Sequence, residues 1–160
     1  YFEVPYQDFV SFFSSVSVHK TDFNLQEPKT FEDYYNRGSL RLDRLNYEGA
    51  YSDFRAALKL RPDANNWMLY ALMGSTQHQL KEYSAAIRYF DKAIRLKPSE
   101  SEANNSWVRN YYNRGLSNLM LENKSEACSD FQKAKSLGLT DKEALKVIKK
   151  NCKGKYKIKS

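Results

Sequence analysis

Two cysteines and two histidines are the side chains of this 160-residue chain best suited to redox, metal or general-base chemistry. Their spacing narrows what they can do. His19 and His78 stand alone, with no carboxylate or Cys at metal-ligand spacing. No Gly-rich phosphate loop, nucleophile elbow or His-x-x-x-His is present. Ser and Asp abound, but no pattern sets a nucleophile beside a base. The chain therefore reads as a non-enzyme with no catalytic residues, no metal, no cofactor and no small-molecule substrate. Cys128 falls early in one expected helix and Cys152 ends the next. If those helices run antiparallel about a turn near Gly138, the two thiols can meet. A disulfide would close a loop of about 25 residues, worth roughly 3 kcal/mol in the chain-entropy model, and would imply an oxidising compartment. Two buried thiols in a reducing compartment are the other reading.

The elements that position these residues announce themselves by repetition. Gly38, Ala50, Phe54, Ala57 and Pro62 form one set, and Gly74, Ala86, Phe90, Ala93 and Pro98 repeat it with identical gaps. Gly115, Ala127, Phe131 and Ala134 form a third, with Leu139 where Pro would fall. Two short helices per unit of about 34 residues describe stacked helical hairpins. The hairpins are expected at 31–64, 67–100 and 108–141, with helices over 31–44, 47–60, near 66–80, 83–96, near 106–121 and 124–136. Gly138 stops the last of these. An amphipathic segment, 141–152, places Ala144, Leu145, Ile148 and Cys152 on one face and suits a capping helix. The glycines should let paired helices approach, the alanines should form the matching small surface, and the phenylalanines should fill the gap between adjacent hairpins. Hairpins one and three share Tyr-Tyr-Asn-Arg-Gly (34–38, 111–115) and Asp-Phe (53–54, 130–131). Hairpin two has Met73 for the Arg and Tyr89 for the Asp. Arg and Asp thus come and go together, which predicts the pairs Arg37–Asp53 and Arg114–Asp130.

Outside the hairpins lie an aromatic arm, 1–30, and a tail, 153–160. The arm holds seven aromatics, and Val10–Val18 favours extended structure. It is expected to pack on the repeats, along their groove, or on another protein. Eight of the 26 basic residues fall within 140–160 against two acids, so most of the formal charge of +7 is C-terminal. That tail offers a second reading: attraction to an anionic membrane surface, an acidic partner or nucleic acid. The longest apolar stretches fall short of the roughly 20 residues a membrane helix needs. The chain begins at Tyr1 rather than Met, as removal of a leader or of further N-terminal sequence would leave it.

This pattern resembles the tetratricopeptide repeat, whose signature runs aromatic, Leu-Gly, aromatic, Ala, Phe, Ala, Pro. Tyr34, Tyr70 and Tyr111 stand at its first aromatic, while Arg37 and Arg114 replace the usual Leu. The resemblance implies an all-α solenoid, a right-handed superhelix, whose first helices line a concave groove for an extended peptide or a partner helix. Carried over by repeat position, the groove would show Tyr35, Asn36, Ser39 and Leu42, then Met68, Leu72, Ser75 and His78, then Arg109, Tyr112, Asn113 and Leu116. The best-known subfamily grips the acidic tail of a heat-shock chaperone with Lys and Asn clamps. Here Asn and Arg109 are kept and the clamp's Lys is missing, which favours an apolar or aromatic ligand. The run from Glu126 to Cys152 also resembles C-terminal repeats of exported Bacteroidota proteins. It implies a periplasmic or envelope-associated adaptor rather than a cytoplasmic one.

Overall fold

The computed structural model describes residues 27–62, 65–96 and 105–152, and among them every regular element is an α-helix. The chain divides into two units, 1–64 and 65–160.

In the first unit, α1 (Phe31–Asp43) pairs with α2 (Tyr47–Leu60). Thr30 starts α1 with a reciprocal cap. Its hydroxyl accepts from the Asp33 N–H at 3.1 Å, and the Asp33 carboxylate accepts from the Thr30 N–H at 3.0 Å. The Lys29 and Thr30 backbone N–H groups hold the Asp33 carboxyl below its usual range. Asn46 caps α2 by accepting from the Gly49 N–H at 3.0 Å.

In the second unit, α3 (Trp67–Gln79) pairs with α4 (Tyr83–Arg95), and α5 (Asn105–Met120) pairs with α6 (Lys124–Ser136). α5 also packs on α4 and α3, and α7 (Lys142–Asn151) rests on α6. Asn66 caps α3 through the Leu69 N–H at 3.1 Å. The Trp107 indole N–H donates to the Ala93 carbonyl at 3.1 Å, tying the start of α5 to the end of α4. Every residue from Leu69 to His78 is buried. α3 is therefore buried on all sides instead of along one stripe.

The small-residue pattern sets each Phe ring against the Gly of its own hairpin. A Cβ added at Gly38 would lie 2.7 Å from Phe54 Cε1, one at Gly74 2.8 Å from Phe90 Cδ1, and one at Gly115 2.6 Å from Phe131 Cε1. The sequence gives the spacing of a face, and a Gly opposite a ring leaves room only for that ring. All three rings have no solvent exposure, and neither do Ala50, Ala86 and Ala127. Full burial stabilises by roughly 1.5–3 kcal/mol per Phe.

The hairpin turns share one geometry. Leu45, Lys81 and Glu122 sit in the left-handed region at φ 60°, 63° and 61°. The next N–H in each turn reaches back to the preceding helix: Asn46 to the Arg41 carbonyl, Glu82 to Gln77 and Asn123 to Asn118, at 2.8–2.9 Å. Gly138, at φ 96°, ends α6 in the same way, with the Leu139 N–H on the Ala134 carbonyl at 3.0 Å. α7 then turns back, and Cys152 is disulfide-bonded to Cys128 with their Cα atoms 5.7 Å apart. Most of the aromatic arm, the basic tail and most of the insert before α5 lie outside the described residues.

Candidate functional site

The positions expected to meet a partner fall on α1 of the first unit and, taken separately, on α3 and α5 of the second. On α1, Asn36 is exposed, while Tyr35 and Ser39 are half-buried. The Tyr35 ring stacks on Phe31 with centroids 6.0 Å apart and tilts against Phe54 at 6.2 Å. Burial pushes its phenol up to about 12. The Ser39 hydroxyl donates to the Tyr35 carbonyl at 2.9 Å. Leu42 is buried.

On α3 and α5, Met68, Arg109 and Asn113 are half-buried, whereas Leu72, Ser75, His78, Tyr112 and Leu116 are buried. Those five, with Leu42, are interior residues here and not open groove surface. Helical periodicity cannot separate a solvent-facing position from one facing a neighbouring helix. Tyr112 packs its ring on Phe131 at 5.5 Å. His78 joins α3 to α5: its Nδ1 lies 2.9 Å from the Ser117 hydroxyl, which itself donates to the Asn113 carbonyl at 3.1 Å. A Ser117 proton directed at Asn113 leaves the hydroxyl oxygen to accept from the neutral ring's Nδ1–H. Burial lowers the His78 pKa to about 4, so the ring is neutral near pH 7. Arg109 forms an ion pair with Asp141 at 3.2 Å, and the same carboxylate caps α7 by accepting from the Ala144 N–H at 2.8 Å.

The Arg–Asp pairs have the geometry of charge-assisted forks. Arg37 donates to both Asp53 oxygens at 2.9 and 2.7 Å, and Arg114 donates to both Asp130 oxygens at 3.0 and 2.5 Å. Each site has a further member that co-occurrence did not reveal. Arg41 also reaches Asp53 at 2.9 Å, and Arg114 also pairs with Asp91 on α4. Arg41 lies one helical turn after Arg37, and that i, i+4 spacing was the signal available. No within-hairpin pattern signals Asp91, because it lies in the preceding hairpin. Burial works against the Arg114 charge, but bonds to Asp130 and Asp91 outweigh it and raise its pKa above the ordinary arginine value. Burial also pushes the Asp130 carboxyl up, partly offset by Arg114 and Asn118. These groups edge an open polar hollow of about 460 Å³ completed by Ile87, Ser125, Glu126 and Ser129.

Among the described residues, no group of three or more His, Cys, Asp or Glu could hold a metal ion. No helix among them is long and apolar enough to cross a membrane.

Comparison with known proteins places this architecture. Residues 69–100 match the family model of the tetratricopeptide repeat. Over 83 residues the chain is 39% identical to the mitochondrial import receptor subunit TOM70 of Saccharomyces cerevisiae. That stretch covers 52% of this chain and spans only 12% of TOM70's length. Among solved structures, the first TPR of Spaghetti (RPAP3), bound to the HSP90 peptide SRMEEVD, is similar with a TM-score of 0.64 and 20% identity. The alignment covers 78% of this chain and 91% of that one. The N-terminal domain of stress-induced protein-1 (STI-1) from C. elegans also scores 0.64, with 18% identity over 77% of this chain and 94% of that one. The matched segment begins in α3 and runs through its hairpin with α4, and the α1–α2 and α5–α6 hairpins set a Phe beside a Gly in the same way. Residues 69–100 thus match a tetratricopeptide repeat, and the fold of the described helices is similar to that of the RPAP3 TPR domain.

Proposed function

We propose that this chain is a non-enzymatic protein-binding module that receives an extended segment or a helix of a partner on the faces of its first helices. It would serve as an adaptor within a larger assembly. The observation that carries this reading is the pair Asn36 and Asn113, which hold the same repeat position and are exposed and half-buried respectively. An asparagine amide both donates and accepts, which suits a peptide backbone. Half-buried Tyr35 on α1 and Met68 on α3 favour an apolar or aromatic side chain over an acidic one. The one cation carried over to this face, Arg109, is already paired with Asp141. We therefore expect the acidic peptide SRMEEVD, bound by the RPAP3 repeat, to bind this chain weakly. The Cys128–Cys152 disulfide suits an oxidising location such as the periplasm, where the assembly would be envelope-associated.

Binding should be saturable. The double variant Asn36→Ala/Asn113→Ala should lower affinity by about tenfold or more while helical content and melting stay as in the parent. Unchanged affinity would move the site away from α1 and α5. The basic tail supplies the second reading, binding to an anionic surface or nucleic acid. It predicts affinity that falls steeply with salt and disappears when 153–160 are deleted.

A further inference from the structure

We propose that the Cys128–Cys152 disulfide is a redox-operated clasp: α7 stays docked on α6 while the bond is closed, and a dithiol reductant releases α7 while α3–α6 stay folded. Four observations carry this. First, α7 has only ten residues, a length at which an isolated helix is marginal in water. Second, its buried contribution is small, since Ala144 and Ile148 are its buried residues, and Lys142, Lys146, Lys149 and Lys150 are exposed. Third, its near end has a pivot. Gly138 takes a left-handed conformation with nothing within 4 Å of where a Cβ would stand, and the Arg109–Asp141 pair anchors the first turn just beyond it. Fourth, the covalent fastening lies at the opposite end, where Cys152 caps α7 and joins Cys128 in α6.

The chemistry balances without further components. One thiolate of the dithiol attacks a sulfur of the bond, forming a mixed disulfide and expelling the other cysteine. The second thiol then displaces the first cysteine, so the reductant leaves as a cyclic disulfide. Cys128 and Cys152 each take up one proton. Opening a loop of this size weakens the docking equilibrium of α7 by roughly a hundredfold in the chain-entropy model.

Amide hydrogen exchange on the full chain tests this, comparing the oxidised protein with the same protein reduced by dithiothreitol under native conditions. Protection over 143–151 should fall by roughly a hundredfold on reduction, while 67–79, 83–95 and 124–136 keep theirs. Cys152→Ser should show the reduced pattern without any reductant. Should that variant fail to fold, the reduction of the parent protein still decides. Equal protection of 143–151 in both states overturns the proposal, and so does a loss that spreads through α5 and α6. Two free thiols in protein purified from its native compartment overturn it as well.

Discussion

At Gly38, Gly74 and Gly115 the missing side chain is replaced by a ring from the paired helix, so even a single added carbon is felt. Gly74→Leu should destabilise by about 1–3 kcal/mol through overpacking against Phe90, read as a lower urea midpoint at unchanged slope. Asp53 has only 2% exposure and takes bonds from both Arg37 and Arg41. Asp53→Ala should cost about 1–3 kcal/mol, since it strands two half-buried guanidinium groups. Glu32→Ala removes an ion pair to Arg61 in which both side chains are more than half exposed, and should change stability by less than about 0.5 kcal/mol. His78 gives a pH signature. Its folded-state pKa is lowered from 6.5 to about 4, so the unfolded chain binds the proton first. Its contribution is complete above about pH 6.5 and is lost as pH falls toward 4, at about 1.4 kcal/mol per unit. His78→Gln should flatten that part of a stability–pH curve, and an unchanged slope would show that other groups set it.

The helices themselves were largely legible, because each hairpin writes its Gly, Ala and Phe at fixed offsets and every break except that at 80–82 carries an Asn, a Gly or a Pro. The Arg–Asp forks were legible for a different reason: both members vanish together from the second hairpin. Arg109–Asp141 and Arg114–Asp91 were not, since the first joins α5 to the cap of α7 and the second joins two hairpins, and no spacing rule connects either pair. The turns hold a feature that composition conceals. Leu45, Lys81 and Glu122 adopt positive φ although none is glycine, a conformation that costs an L-residue roughly 1–2 kcal/mol. Glycine's larger unfolded-state entropy returns part of that. Lys81→Gly should therefore stabilise modestly, by up to about 1 kcal/mol, seen as a higher melting temperature. A fall would show that the lysine side chain contributes more than its backbone strain removes.

For the molecule as a whole, the sequence carried the fold class further than it carried the site. A repeat pattern specifies which residues recur, and recurrence marks packing more strongly than recognition. Six of the twelve positions assigned by repeat register, among them Leu72 and Tyr112, are interior. Substituting them would report on stability as much as on binding. Asn36, Met68 and Asn113 remain the better probes of partner contact. Loss of the disulfide should release α7 and leave the main melting transition of α3–α6 nearly in place, which parallel thermal melts with and without reductant would read.

The indole bond from Trp107 to Ala93 has a practical consequence. The chain has two tryptophans, and Trp107 is 4% exposed with its N–H fixed across the α4–α5 joint, whereas Trp67 is half-buried at the start of α3. Emission from a Trp67→Phe variant would then isolate one native fluorophore seated between consecutive hairpins. Its red shift would time the parting of that joint, with no label attached.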